Sequence, residues 1–256
     1  MAKKKVTTTV VEETIPSNEK TQIICILDRS GSMADKGIIH ESIGGFNRFL
    51  KEQKTLKDNA TLTVVLFDDQ YDLLYDDVDI KKVDEIKYDT WFPRGMTALY
   101  DAIGKTINTV KANHVHLSVE KPAKVLVCIV TDGYENASRE YNRNDIKNLI
   151  RQCEHENWNF IYLAANQDAF AVGTSFGVSA SNTYTYTADV AGVFDMSDTL
   201  NNASVSYRGM NSNDADFQKK SKTLIGNPNN KNDKKEPEDN GSMTNNNTVE
   251  NITVNN

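Results

Sequence analysis

Cysteine is scarce in this chain, and a disulfide framework is excluded with it. Of 256 residues only three are Cys, an odd number. Cys25 and Cys128 lie inside apolar runs, so with Cys153 they read as reduced packing residues of an intracellular protein. Their separations match no zinc-site spacing. Long apolar runs are missing too. No segment approaches the ~18 continuous apolar residues of a membrane span. Behind Lys3-Lys4-Lys5, where a signal peptide would turn apolar, stand Thr7-Thr8-Thr9 and Glu12-Glu13. The expectation is a cytoplasmic protein that neither spans a membrane nor is secreted by that route. Basic charge is not in excess: 29 Lys and Arg face 36 Asp and Glu, a net charge of -7. That excludes a nucleic-acid partner held by phosphate neutralisation. An acidic chain attracts cations instead. The phosphate-cradling Gly-x-x-x-x-Gly-Lys loop is also absent.

What is present divides the chain into three. Residues 1–20 read as an N-terminal extension, with Val6 to Thr14 β-branched enough for an edge strand. From about 209 to 256 composition shifts sharply: residues 211 to 256 hold 13 Asn, Pro228 and Pro237, and a single aromatic, Phe217. Such a stretch buries too little apolar surface to offset its ordering entropy, so it reads as a disordered tail with at most a short helix near 215 to 224. Between them, about 21 to 208, lies one domain. Ile23 to Leu27, Leu62 to Phe67, Val125 to Val130 and Phe160 to Ala164 are short continuous apolar runs, the pattern of strands covered on both faces. Asp72 to Tyr75 is weaker and belongs nearer an edge. Ile39, Ile43, Phe46 and Leu50 form one helical stripe, Leu99, Ile103, Ile107 and Val110 a second, and Ile146, Leu149, Ile150 and Cys153 a third. Strands alternating with helices predict an α/β doubly wound, mostly parallel sheet with helices on both faces.

In such a sheet, ligands bind beyond the carboxyl ends of the strands, where the strand order reverses. Asp28-Arg29-Ser30-Gly31-Ser32 follows the first strand, Thr131-Asp132-Gly133 follows a later buried strand, and Thr97 closes the loop Phe92 to Thr97 where a helix begins. Asp28, Ser30, Ser32, Thr97 and Asp132 make an all-oxygen set without sulfur or imidazole, which suits a hard divalent ion, Mg²⁺ or Mn²⁺. Each residue also has an ordinary reading. Ser30, Ser32 and Thr97 could cap helices, and Asp132-Gly133 is a common turn pair. Turn chemistry alone gives no reason for all of them to converge on the reversal point. Asp101, Glu135 and Asn136 read as loop-orienting or capping groups, and Asp35, Asp68 and Asp69 as solvated loop acids. His40, His114, His116 and His155 have no ligand spacing. Trp91 and Phe92 read as packing under the Thr97 loop or as exposed contact anchors.

Asp28-x-Ser30-x-Ser32, Thr97 within Gly-Met-Thr-Ala-Leu, and Thr131-Asp132-Gly133 together resemble the von Willebrand factor A domain and its metal-ion-dependent adhesion site, over about 21 to 165. The resemblance implies one antiparallel edge strand, metal contact by Ser30, Ser32 and Thr97, and Asp28 and Asp132 ligating or holding water. It implies no catalytic residue, and a protein partner that presents an Asp or Glu carboxylate to the metal. In some relatives a change of ligation accompanies movement of the last helix, here about 188 to 208. The Asn-rich composition fits a bacterial or phage source. An alternative makes the chain a structural or accessory component, of a virion or of an ATPase-associated complex, whose metal only stabilises the loops. A phosphoryl-transfer enzyme using Asp28 as nucleophile is a weaker alternative, because Ser30 stands where a second aspartate would serve as acid and base.

Overall fold

The computed structural model describes residues 19–35, 37–116 and 122–226. The proposed N-terminal edge strand and residues 227–256 of the tail lie outside the described residues, as do the side chains of Asp35 and His116. The strands are β1 (Thr21–Asp28), β2 (Ala60–Phe67), β3 (Tyr71–Asp79), β4 (Lys124–Thr131), β5 (Trp158–Ala165) and β6 (Thr183–Tyr186). They form one sheet in the order β3-β2-β1-β4-β5-β6, parallel throughout except for β3, which runs antiparallel at one edge. Chain order reverses between β1 and β4, which places the ends of these two strands at the ligand-binding crevice of the architecture.

The continuous apolar runs belong to strands with no exposed face. Along β1, Ile23, Cys25 and Leu27 enter one core and Ile24 and Ile26 the other, as the period of two requires. The first core is closed by α2 (Ile39–Thr55) and α6 (Val190–Gly209), the second by α3 (Leu99–His116), α4 (Arg143–Glu154) and α5 (Ala169–Ser175). A one-turn helix, α1 (Ser32–Asp35), follows β1. Each of the three helical stripes read from the sequence faces the sheet, Leu149 alone being only partly buried. All three cysteines are buried free thiols, and Cys25 stands in register with Cys128 on the neighbouring strand.

The domain does not end near 208. Beyond α6 the chain crosses the amino ends of the strands, forms α7 (Phe217–Ser221) and sets Phe217 against Tyr207, ring centroids 5.8 Å apart. Glu19 accepts hydrogen bonds from the backbone N–H and hydroxyl of Ser212, and buried Asn182 accepts one from Leu224 N–H. Composition misled here because few apolar residues suffice: Phe217 is buried, Met210, Leu224 and Ile225 pack against the first core, and main-chain hydrogen bonds to Asn182 do the rest. Beside it Arg208 is buried, with Nε and Nη2 on the Asp58 carboxylate and Nη1 donating to Gln53 O. Lys124 Nζ donates to the carbonyls of Arg208 and Met210. Phe217→Ala therefore removes a core side chain, and we expect a loss of about 3 kcal/mol in urea unfolding; unchanged stability would mean the segment only rests on the domain.

Candidate functional site

All five residues singled out in the sequence meet at the reversal point. Asp28 ends β1 with its carboxylate turned inward: Oδ1 accepts from Ser30 N–H at 2.6 Å and Oδ2 from the Thr131 hydroxyl at 2.6 Å. It is 1 % exposed, so it stands behind the rim rather than on it. Burial raises its pKa from 3.8 to about 6, against the lowering effect of its hydrogen bonds with Thr131 and Ser30, while the charge of Asp132 adds to the rise. Asp132 follows β4 and accepts from the Ser32 hydroxyl at 2.7 Å, and Ser32 Oγ lies 3.0 Å from Ser30 Oγ.

Thr97 joins them from the third loop. A Cβ built on Gly133 would lie 2.9 Å from Thr97 Oγ1, 3.3 Å from Ser32 Oγ and 3.6 Å from Ser30 Oγ. The three hydroxyls therefore border one small space that only a glycine at 133 leaves open. It belongs to a surface cleft of about 470 Å³ lined in part by Ser30, Ser32, Met96, Thr97, Asp132 and Asn166. Among the described residues no group of three or more His, Cys, Asp and Glu gathers as a metal centre would. The donors here are hydroxyls backed by two carboxylates, an all-oxygen set that fits a hard divalent ion.

Helix capping does not account for Thr97. The first-turn amides of α3 are taken elsewhere, Tyr100 N–H by Glu135 Oε2 and Asp101 N–H by Ser138 Oγ. Thr97 N–H itself donates to Asn136 Oδ1. Glu135 also accepts from the amides of Ala137 and Ser138, and Asp101 from those of Arg139, Glu140 and Tyr141. These acids shape the 133–142 loop around the helix end, as their loop-orienting reading anticipates.

Other expectations need correction. Asp68 is no solvated loop acid; it is buried, with Arg29 Nε at 3.2 Å and Arg94 Nε at 2.6 Å from Oδ2. Arg94 N–H donates to Arg29 O, and Gly31 N–H to Gly95 O, so the clamp fastens the Ser30 loop to the Thr97 loop. Gly95 takes φ +68°, and a side chain there would run into Asp69. Nothing local in the sequence distinguished Asp68 from Asp69; the partners lie 39 and 26 residues away. Trp91 and Phe92 divide between their two readings. Trp91 is buried and its indole N–H donates to Asp28 O, whereas Phe92 is exposed under the Arg94 guanidinium. Met96 and Tyr134, also exposed, line the cleft. His40 stacks on Tyr88 and His114 approaches Gln22, both away from the site.

In sequence, no family model and no curated protein matches this chain. In structure it is similar to proximal thread matrix protein 1 from the mussel byssus, at 15% identity and TM-score 0.50 over 71% of this chain and 45% of that one. A second structure of that protein, described as having a zinc-occupied MIDAS motif, aligns at 14% identity and TM-score 0.51 over 73% and 46%. A von Willebrand factor type A protein from Catenulispora acidiphila aligns at 15% identity and TM-score 0.48, over 72% and 42%. The aligned part thus spans less than half of each of these chains, and at such identities the likeness is one of fold. Among the described residues no helix is long and apolar enough to cross a membrane.

The raised pKa of Asp28 has a measurable sign. Its folded value, about 6, lies above the unfolded 3.8, so the folded state holds the proton more tightly. Stability in chelator should then fall by about 2 to 3 kcal/mol as pH rises from about 4 to about 6, and level off above. Asp28→Asn keeps the shape and removes the charge. Urea titrations should find this variant at least as stable as the wild type at pH 7.5 and without that slope; a destabilised variant with the slope intact would assign the dependence to another group.

Proposed function

We propose that this chain, which has the von Willebrand factor A fold, is a protein-recognition module that depends on a divalent cation. Mg²⁺ or Mn²⁺ is the ion its donors suit. The observation that carries the reading is the convergence of the Ser30, Ser32 and Thr97 hydroxyls on the space beside Gly133, with Asp132 hydrogen-bonded to one of them. Ser30, Ser32 and Thr97 would hold the ion, with Asp132 and the buried Asp28 ligating or orienting water from behind. When bound, such an ion supplies positive charge at the cleft, little of it neutralised by the hydroxyls, and a coordination position for an outside oxygen.

The chain's own residues do the rest. The Arg29–Asp68–Arg94 clamp keeps two of the loops in register, and the Glu135 and Asp101 hydrogen bonds keep the third against them. The partner we infer is a protein that offers an Asp or Glu carboxylate at the cleft. Met96 and Tyr134, exposed beside it, provide apolar surface for the residues flanking that carboxylate. A phosphoryl-transfer role for Asp28 has no support in the geometry. Both carboxylate oxygens are engaged and the group is buried, so it has no path to an incoming phosphorus.

Titration calorimetry of Mn²⁺ and Mg²⁺ into the full chain tests the reading. We expect one saturable site, lost in Gly133→Ala, whose added methyl would crowd Thr97 Oγ1, while circular dichroism reports an unchanged fold. An Ala variant that binds as the wild type does would move the cation elsewhere, and absence of binding to the wild type would remove it.

A further inference from the structure

We propose that Gln167 is a positioning residue of the cation cleft, acting through Gly133; the inference rests on the reading of that cleft as a cation site. Gln167 lies in the corner between β5 and α5, a loop that the site motifs do not include. Asn166 before it has φ 51°, a left-handed turn that redirects the chain at the end of β5. That turn is held by β6: Asn166 N–H donates to Tyr186 O, and Asn166 Oδ1 accepts from Ala188 N–H. Gln167 O accepts from the Thr185 hydroxyl at 3.0 Å and from Ala169 N–H. So anchored, the Gln167 side chain is buried and points back toward the end of β4, where its Nε2 donates to Gly133 O at 3.1 Å.

That bond matters because the obvious alternative donor is occupied. Thr131 Oγ1 lies 3.2 Å from Gly133 O, but a hydroxyl has one proton, and the Asp28 carboxylate is closer at 2.6 Å and charged when ionised. Thr131 Oγ1 instead accepts from Gly133 N–H at 3.2 Å. The amide orientation of Gln167 follows from its neighbours. Reversed, it would set oxygen against the Gly133 carbonyl oxygen. Gln167 thus fixes the peptide plane after Gly133, and with it the direction in which the Gly133 Cα faces the three hydroxyls. A few tenths of an ångström there decide whether the space is open, since the neighbouring oxygens stand only 2.9 to 3.6 Å from a Cβ position.

Gln167→Met keeps length and burial and removes the donor. Calorimetry with Mn²⁺ on the full chain should give affinity weaker by about tenfold, the usual loss for a group that orients a ligand from behind. In chelator, the Gly133 amide resonance should shift while the melting temperature stays near that of the wild type. Asp168→Ala removes the cap of α5, whose Oδ1 accepts from Ala171 N–H, and so loosens the same corner without a bond to Gln167 or Gly133; it should leave Mn²⁺ affinity within about twofold. Wild-type affinity in Gln167→Met overturns the proposal, as does an equal loss in Asp168→Ala, which would assign the effect to the corner's stability. If the wild type itself binds no Mn²⁺, the cation reading fails and takes this inference with it. If the wild type binds and Gln167→Met binds as well, only the inference fails.

Discussion

The Asp28 carboxylate ties the ends of β1 and β4 together where the sheet reverses its strand order, accepting Ser30 N–H from its own loop and the Thr131 hydroxyl from its neighbour's. Parallel strands diverge at their carboxyl ends because each leaves for a different helix. A buried acceptor shared between two of them sets the distance between the loops that follow. Ser30 and Ser32 on one side and Asp132 and Gly133 on the other are consequences of that spacing. Burying a carboxylate without a counter-charge is costly, which is why its pKa rises, and the arrangement trades stability for a preset cleft.

The two ends of the sheet are built on opposite principles. At the amino ends, Arg208 and Lys124 are enclosed among Asp58, Gln53 and main-chain carbonyls, with charge and donors matched. At the carboxyl ends, three hydroxyls border an open space, and burial, with a smaller push from Asp132, raises the pKa of Asp28. The first holds the domain together. The second leaves coordinating capacity at the surface, as a site for an incoming cation requires.

Much of this was legible in the residues. Continuous apolar runs identify β1, β2, β4 and β5 because strands buried on both faces have no polar positions to alternate with. The motif pieces are legible because each follows such a strand. By contrast β6 is a four-residue Thr-Tyr repeat that reads as loop, and α6 presents Val193, Met196, Leu200 and Tyr207 among small polar residues that dilute the stripe. Phe217 looked isolated because its partner Tyr207 lies on another element. Asp68 and Gln167 could not be told from ordinary loop residues, since what makes each of them matter is a contact with a distant segment, and no local pattern encodes that.

The three buried thiols give the molecule a reporter of its own opening. Cys25 and Cys128 lie side by side in the sheet's centre and Cys153 on the buried face of α4, all enclosed, and burial pushes the thiols of Cys128 and Cys153 upward in pKa, away from the reactive thiolate. An alkylating reagent can reach the central pair only when the sheet itself comes apart, and Cys153 when α4 lifts. The order in which the thiols are modified would read out which layer of the domain yields first.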